Sequence, residues 1–260
     1  MAEKQLQKDA GKTAVFVTAR LKSTRLANKV LLDLCGKPLL LHLIERVRLA
    51  RLPDLVVLCT STHVNDDPLE ELARRNDVLY FRGSEEDVLE RYLEAAEQFS
   101  VEFAIITWGD EVFCDPFHID ETIRRFYRDP DQPDMVTSDS LPEGTYTYGV
   151  RIESLRQVVK EKSQSNTEVW TKYFENNSRY RVVRLEVASE VQRRDLRLTC
   201  DYPEDLELIR IIFRNLFRGK NDFRLAEIIR FLDEQPALKQ LNYFRQKEYE
   251  VRIERQSVCK

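Results

Sequence analysis

The chain has 260 residues, 42% hydrophobic and 33% charged, with 41 basic side chains against 45 acidic ones and a net charge of −4. This composition excludes a disordered chain, and the near balance of charge excludes a molecule-wide field for nucleic acid or anionic membrane, so any anion site must be a local cluster. No apolar run reaches the roughly 20 residues that span a bilayer, and the polar start MAEKQLQKDAGK lacks the apolar core of a secretory signal, so a cytoplasmic protein with neither nucleic-acid nor membrane partners is expected.

After a polar extension over residues 1–12, TAVFVTAR (13–20) is a β-branched apolar run of the kind that forms a buried strand. A basic loop follows through Lys29. Pro38 then opens a segment in which Leu40, Leu43, Ile44 and Val47 recur at helical spacing, ending near Arg51 before Pro53. DLVVLCTS (54–61) reads as a strand, 66–76 as a helix and DVLYFRG (77–83) as a strand. Ser84 reads as a helix N-cap, with Glu85, Glu86 and Asp87 in the first turn and Val88, Tyr92, Ala95 and Phe99 on an apolar face. FAIITWGD (103–110) is another buried strand, followed by a helix from Pro116 through Phe126. Beyond Pro133 the alternation weakens: DMVTSD, TYTYGVRI and YRVVRLEV read as strands, with helices near 153–163 and 168–176. RLTCDYPEDLELIRIIFRNLF (197–217) reads as strand end, turn and long helix, and 224–234 as another helix. Alternating elements of these lengths imply an α/β fold with a doubly wound, mostly parallel sheet and a small antiparallel extension, in one domain over 13–238. The basic tail, 239–260, is expected to be solvated.

The five cysteines are odd in number and contain no C-x-x-C pair, which suggests neither a disulfide framework nor a thiolate zinc site. Cys35, Cys59, Cys114 and Cys200 are expected to be small buried residues. His42, His63 and His118 show no zinc-binding spacing. Seven glycines form neither G-x-G-x-x-G nor G-x-x-x-x-G-K-[ST], so phosphates would need another device.

One candidate device is the segment from Ala19 to Lys29, which puts four cations (Arg20, Lys22, Arg25, Lys29) and two hydroxyls (Ser23, Thr24) in the loop after the first strand. Ligands of open α/β sheets bind at the carboxyl ends of strands, and charge-assisted bonds from such a loop could neutralise a triphosphate. The same residues also suit a merely solvated basic loop. Asp110 and Asp201 each follow an apolar run that carries them to the sheet edge, where hard oxygen donors suit Mg²⁺. A turn residue at Asp110 and an N-cap at Asp201 are the alternatives.

The run ARLKSTRLANKVLLDLCGKPLL (19–40) resembles the opening A-R-x-x-S-T-R-L-P-G-K-x-L-x-x-x-x-G-K-P-L of nucleotidyltransferases that activate acidic sugars with CTP. The spore-coat polysaccharide cytidylyltransferase family, related to CMP-Kdo and CMP-sialic acid synthetases, is the nearest type. The likeness continues through TSTHVNDDPLEELA, FRGSEEDVLERY, the T-x-G-D step at 107–110 with Asp115-Pro116, and D-x-PEDLELI at 201–209. It implies a sheet of the nucleotide-sugar-transferase type, GT-A-like and Rossmann-like, with CTP over the ends of the first strands. Carried over residue by residue, it implies Arg20 and Lys29 on the triphosphate, Ser23 and Arg25 lining the same loop, and backbone groups of Ala19 and Arg20 reading the base. It implies further that Thr60 and Ser61 lie near the cytosine and that Asp110 and Asp201 hold Mg²⁺, with Asp110, Arg20 and Lys29 as the catalytic set. An acceptor hydroxyl would attack the α-phosphorus and release pyrophosphate, with catalysis by positioning and charge neutralisation.

Several positions depart from the pattern. Ala27-Asn28 replaces Pro-Gly before Lys29, giving up a preset φ and a freely left-handed position, although Asn tolerates positive φ better than most residues. Trp108 replaces a small or amide residue; it either packs against the ribose, blocks part of that site or is core. Glu143 to Val150 stands where relatives show G-L-D-V-E-x-F, and Asn166-Thr167-Glu168-Val169-Trp170-Thr171 where they show R-E-H-V-T, keeping only Glu168 and Thr171. Tyr146, Tyr148 and Glu168 are therefore the candidate acceptor contacts. The acceptor expected is a small hydroxylated compound, an acidic sugar by resemblance but not the usual one. The resemblance also implies a homodimer through about 140–190, where Tyr146, Tyr148 and Trp170 would be aromatic anchors or would line the acceptor pocket. Alternative readings are a nucleotidyltransferase of the same fold using another nucleotide or a non-sugar acceptor, and a nucleotide-binding subunit with impaired turnover.

Overall fold

The computed structural model describes residues 11–248 and Val251. Residues 1–10 of the polar extension and the end of the tail, Cys259 included, lie outside the described residues. In chain order the elements are β1 (Lys12–Thr18), β2 (Asp33–Leu34), β3 (Lys37–Pro38), α1 (Leu39–Val47), β4 (Leu55–Ser61), α2 (Asp67–Arg75), β5 (Leu79–Gly83), α3 (Val88–Phe99) and β6 (Val101–Trp108). There follow α4 (Pro116–Arg128), β7 (Met135–Thr137), β8 (Tyr148–Arg151), α5 (Ile152–Glu161), α6 (Lys172–Glu175), β9 (Val182–Arg184), α7 (Pro203–Leu216), α8 (Leu225–Glu234) and α9 (Pro236–Lys239).

The main sheet runs β5-β4-β1-β6-β8-β7-β9. β1 pairs in parallel with β4 and β6, β4 with β5, and β7 with β9, while β8 is antiparallel to both of its neighbours. The apolar run of β1 has a simple cause: side chains alternate across a sheet that is covered on both faces. Val15 and Val17 pack with α1, α2 and α4 through Leu43, Leu69 and Ile123. Ala14 and Phe16 pack on the other face with α3 and α5 through Tyr92 and Leu155. A third cluster joins α7 and α8 to Leu34, Phe113 and Leu141. Among the described residues no helix is long and apolar enough to cross a membrane.

Four sequence expectations need correction. The N-cap before α3 is Asp87, whose carboxylate accepts from Glu90 N at 3.1 Å. Ser84 does make a cap-like bond, its hydroxyl accepting from Asp87 N at 3.0 Å, but the Ser84 and Glu85 carbonyls are taken by Arg91 and Arg20, so 84–87 stays irregular and the helix starts only at Val88. RLTC (197–200) is not a strand. It crosses other loops, bonding Leu198 N to Glu143 O at 2.7 Å and Cys200 N to Asp110 O at 3.2 Å. Cys35 is exposed, at a φ of +51° in the turn between β2 and β3, whereas Cys59, Cys114 and Cys200 are buried. The start of the tail is docked, with Asn242 only 1% exposed.

Candidate active site

β1 and β6 run side by side with Thr18 opposite Trp108, so both chains leave the sheet at the same edge. Gly109 N donates to Thr18 O at 2.8 Å. A Cβ on Gly109 would lie 2.9 Å from Ala19 Cβ and 3.3 Å from Thr18 O, so glycine lets the two loops close on each other. The basic loop is anchored from behind: Leu21 N donates to Asp66 Oδ1 at 2.7 Å, and Ser61 Oγ donates to Asp66 Oδ2 at 2.5 Å. Asn28 takes the left-handed conformation, φ +51° and ψ +30°, and opens a 3₁₀ turn over Lys29–Leu31 that buries Val30. Asparagine thus supplies the backbone geometry that Gly would have supplied, at modest cost.

The loop forms one wall of a cavity of about 390 Å³ that takes in Ala19, Arg20, Ser23, Arg25, Lys29, Trp108 and Asp110. An adjoining cavity of about 230 Å³ shares Arg25, Lys29, Trp108, Asp110 and Glu168 with it and adds Tyr146, Tyr148 and Asp201. Lys29 and Asp110 therefore stand at the seam between a basic and an aromatic compartment. All but two of the candidate residues come together here. The exceptions are Thr60 and Ser61, which are fully buried and belong to neither lining. Ser61 is committed to Asp66, so it braces the loop from beneath.

Each cation of the loop is held by a carboxylate. Arg20 lies 3.6 Å from Glu168, Lys22 bonds Glu86, and Arg25 bonds Asp201. Lys29 Nζ bonds both Asp110 and, at 2.7 Å, Asp201 Oδ1. Burial alone would push the Lys29 ammonium down, but Asp110 and Asp201 outweigh it and hold the pKa above the usual lysine range. Burial likewise opposes the Asp201 carboxylate, yet Lys29 and Arg25 hold it well below the usual carboxylate range. Arg197, fully buried, donates to the other Asp201 oxygen at 3.2 Å and is itself gripped by Asp205 at 3.0 and 3.1 Å.

A single ammonium bridging Asp110 and Asp201 is direct evidence that the two carboxylates converge on one cation. Among the described residues no group of three or more His, Cys, Asp and Glu side chains is arranged to hold a metal by itself. That donor set fits Mg²⁺, which takes one or two protein carboxylates and completes its shell with phosphate oxygens and water.

Sequence reasoning missed two buried members of the site. Arg91 on α3 lines the larger cavity at 1% exposure, donating to Ser84 O at 3.0 Å and Thr18 Oγ1 at 3.2 Å. An arginine beside Val88, Tyr92 and Ala95 on an apolar helix face was its legible signal. Glu111, 4% exposed, lines the smaller cavity and accepts from Thr107 Oγ1 at 2.8 Å and Trp108 N at 3.0 Å. Burial, and then the neighbouring Asp110 charge, push its carboxyl well above the usual range. Trp170 is fully buried in an aromatic cluster with Trp108 and Tyr148, so it packs the cavity wall and is no exposed anchor for a partner.

The sequence matches the cytidylyltransferase family over residues 14–253. It is 31% identical to the spore coat polysaccharide biosynthesis protein SpsF of Bacillus subtilis, over 85% of this chain and 94% of that protein. Among solved structures, a cytidylyltransferase from Leptospira borgpetersenii superposes with a TM-score of 0.82 at 24% identity, covering 88% of this chain and 97% of that one. CMP:2-keto-3-deoxy-manno-octonic acid synthetase, solved in complex with CTP, superposes with a TM-score of 0.63 at 18% identity, covering 78% and 98%. With the family match spanning nearly all of the described chain, the protein belongs to the cytidylyltransferase family and is a nucleotidyltransferase.

Proposed function

We propose that this chain transfers CMP from CTP, in the presence of Mg²⁺, to a hydroxyl of a small acceptor of the acidic-sugar kind in the cytoplasm, releasing pyrophosphate and giving a CMP-linked product for polysaccharide or glycoconjugate synthesis. The observation that carries the reading is Lys29 bridging Asp110 and Asp201 at the seam of the two cavities. In this reading the larger cavity takes CTP and the smaller one the acceptor, so the α-phosphorus lies between them. Mg²⁺ on Asp110 and Asp201 would neutralise triphosphate charge and favour departure of pyrophosphate. Arg20, Arg25 and Lys29 offset the charge building on the leaving group, and Ser23 adds a hydroxyl donor. Trp108 and Arg91 fix the nucleoside, and backbone groups at Ala19 and Arg20 meet the base. Tyr146, Tyr148 and Glu168 orient the acceptor so that its hydroxyl attacks in line. We also propose a homodimer through residues 140–190, to be checked by light scattering.

Thermal-shift titration with CTP, UTP, ATP and GTP, each with and without Mg²⁺, tests the nucleotide half of this reading, since a ligand of the native state raises the midpoint by mass action. A CTP-selective, Mg²⁺-enhanced shift is expected; equal shifts with all four nucleotides, or none, would remove it.

A further inference from the structure

We infer that Tyr202 is a positioning residue for the nucleotide: its ring holds the Arg25 guanidinium in the orientation that meets the triphosphate. This rests on the proposed assignment of the larger cavity to CTP.

Tyr202 fills the open position of D-x-PEDLELI and lines neither cavity. Its backbone is fixed as the N-cap of α7, just before Pro203, and its N–H donates to Asp205 Oδ2 at 3.0 Å, the oxygen that also accepts from Asp201 N at 2.9 Å. A fully buried carboxylate therefore sets where the ring leaves the chain, one residue after Asp201. The Arg25 guanidinium lies over that ring, 5.5 Å from its centroid. A planar cation is attracted to an aromatic face and stacks on it, which fixes an orientation that a single point contact leaves free.

Arg25 depends on that hold more than the other cations at the same ring. Arg245 packs on Tyr202 at 4.7 Å, but it is gripped by Glu204 at 2.7 Å and by both oxygens of Glu248 at 2.9 and 3.0 Å. Arg197 faces the ring too, and Asp205 holds it through two nitrogens. Among the described residues Arg25 has a single carboxylate partner, Asp201 Oδ1, and Lys29 takes the same oxygen at 2.7 Å. Asp201 is also a proposed Mg²⁺ ligand, so a hold that does not pass through this carboxylate keeps Arg25 in place when the carboxylate is shared.

The Arg25 Nε–H is buried and has no acceptor among the described residues, although the side chain borders both cavities. A buried donor without an acceptor is costly, and a triphosphate oxygen would satisfy it with a charge-assisted bond. Steadied by Tyr202, the guanidinium fork offers that donor to the nucleotide.

Thermal-shift titration of the full chain with CTP and Mg²⁺ tests this, since each unfolding curve also reports whether a variant folds. Tyr202→Phe keeps the ring and should bind CTP within about twofold of wild type, whereas Tyr202→Leu removes the ring face and should bind about five- to tenfold more weakly. In an Arg25→Met background the Tyr202→Leu change should alter CTP affinity by less than about twofold, because a residue that acts through Arg25 has nothing to position once the guanidinium is gone. If Arg25→Met leaves no titratable shift, Arg25→Lys, which lacks the planar fork, replaces it as the background. If Tyr202→Leu does not fold, Tyr202→Met replaces it. Wild-type affinity in Tyr202→Leu, an equal loss in Tyr202→Phe, or an undiminished loss in the Arg25 background would each overturn the inference. Absence of a CTP-dependent shift in the wild-type chain would instead strike the nucleotide reading on which the inference rests, and it shows before any variant is compared.

Discussion

At the scale of single residues, Asp110 and Asp201 have equivalent places in the proposed chemistry but different places in the fold. Asp201 is 4% exposed and carries bonds from Lys29, Arg25 and Arg197, while Asp110 bonds Lys29 alone of these three. Replacing a buried carboxylate leaves its partners uncompensated, at about 3–5 kcal/mol in strongly buried cases. Both Asp110→Asn and Asp201→Asn should therefore lower turnover by about a hundredfold or more, but only Asp201→Asn should also lower the unfolding midpoint by several degrees. Pyrophosphate release and calorimetry on the same preparations check both parts, and a midpoint for Asp201→Asn equal to wild type would contradict the buried-network argument. Asn28 is a second case. Its departure from the family pattern was legible, and so was its tolerance of positive φ; its actual φ of +51° shows how the loop keeps its course. Asn28→Val puts a β-branched side chain in that left-handed position and should cost about 1–3 kcal/mol in denaturant titration, whereas Asn28→Gly should be nearly neutral.

At the scale of elements, the strands and helices of the first half were legible because hydrophobic periodicity is a local property. The segments that close the site were not, since their order depends on a few long-range bonds. Residues 239–248 look like a solvated basic tail by composition, yet Asn242 donates to Arg197 O at 2.9 Å and to Asp205 Oδ1 at 2.8 Å. Arg245 bonds Glu204 at 2.7 Å and lies over the Tyr202 ring, which Arg25 and Arg197 also face. One buried asparagine in a polar stretch leaves no compositional trace. Its geometry places the tail behind the Asp205–Arg197 pair, which in turn stands behind Asp201. Asn242→Ala removes a donor from a buried carboxylate and should cost about 1–3 kcal/mol. Because that carboxylate orients Arg197 against Asp201, kcat should fall severalfold more than the KM for CTP changes; an unaltered kcat in a variant of reduced stability would confine the tail to a structural role.

At the scale of the whole molecule, alternation of strands and helices was enough to read a doubly wound sheet, while the meeting of Asp110 with a residue 91 positions later was suggested by their apolar lead-ins but left open until the family likeness favoured it. The same long-range packing fixes how the fold responds to acid. His42 on α1 is fully buried, with Nε2 donating to the Leu34 carbonyl and its ring edge-on to Phe213 and Phe217, at 4.9 and 5.3 Å. Burial holds its pKa below the ordinary value, although the Leu34 carbonyl pulls the other way; burial does the same to His118, against the attraction of Asp115. Below about pH 6.5 the unfolded chain takes up protons that these two imidazoles refuse in the fold, so each subtracts up to about 1.4 kcal/mol of stability per pH unit as the medium is acidified. Glu111 acts in the opposite sense, since a carboxyl raised by burial binds its proton more readily in the fold than out of it. Wild-type stability therefore mixes both contributions, and a difference between variants separates them. His42→Gln should be less stable than wild type at pH 8, and the gap should close as pH falls from 7 to 5. Chemical denaturation at each pH checks this, and a gap that stays constant or widens would mean that His42 is protonated inside the fold.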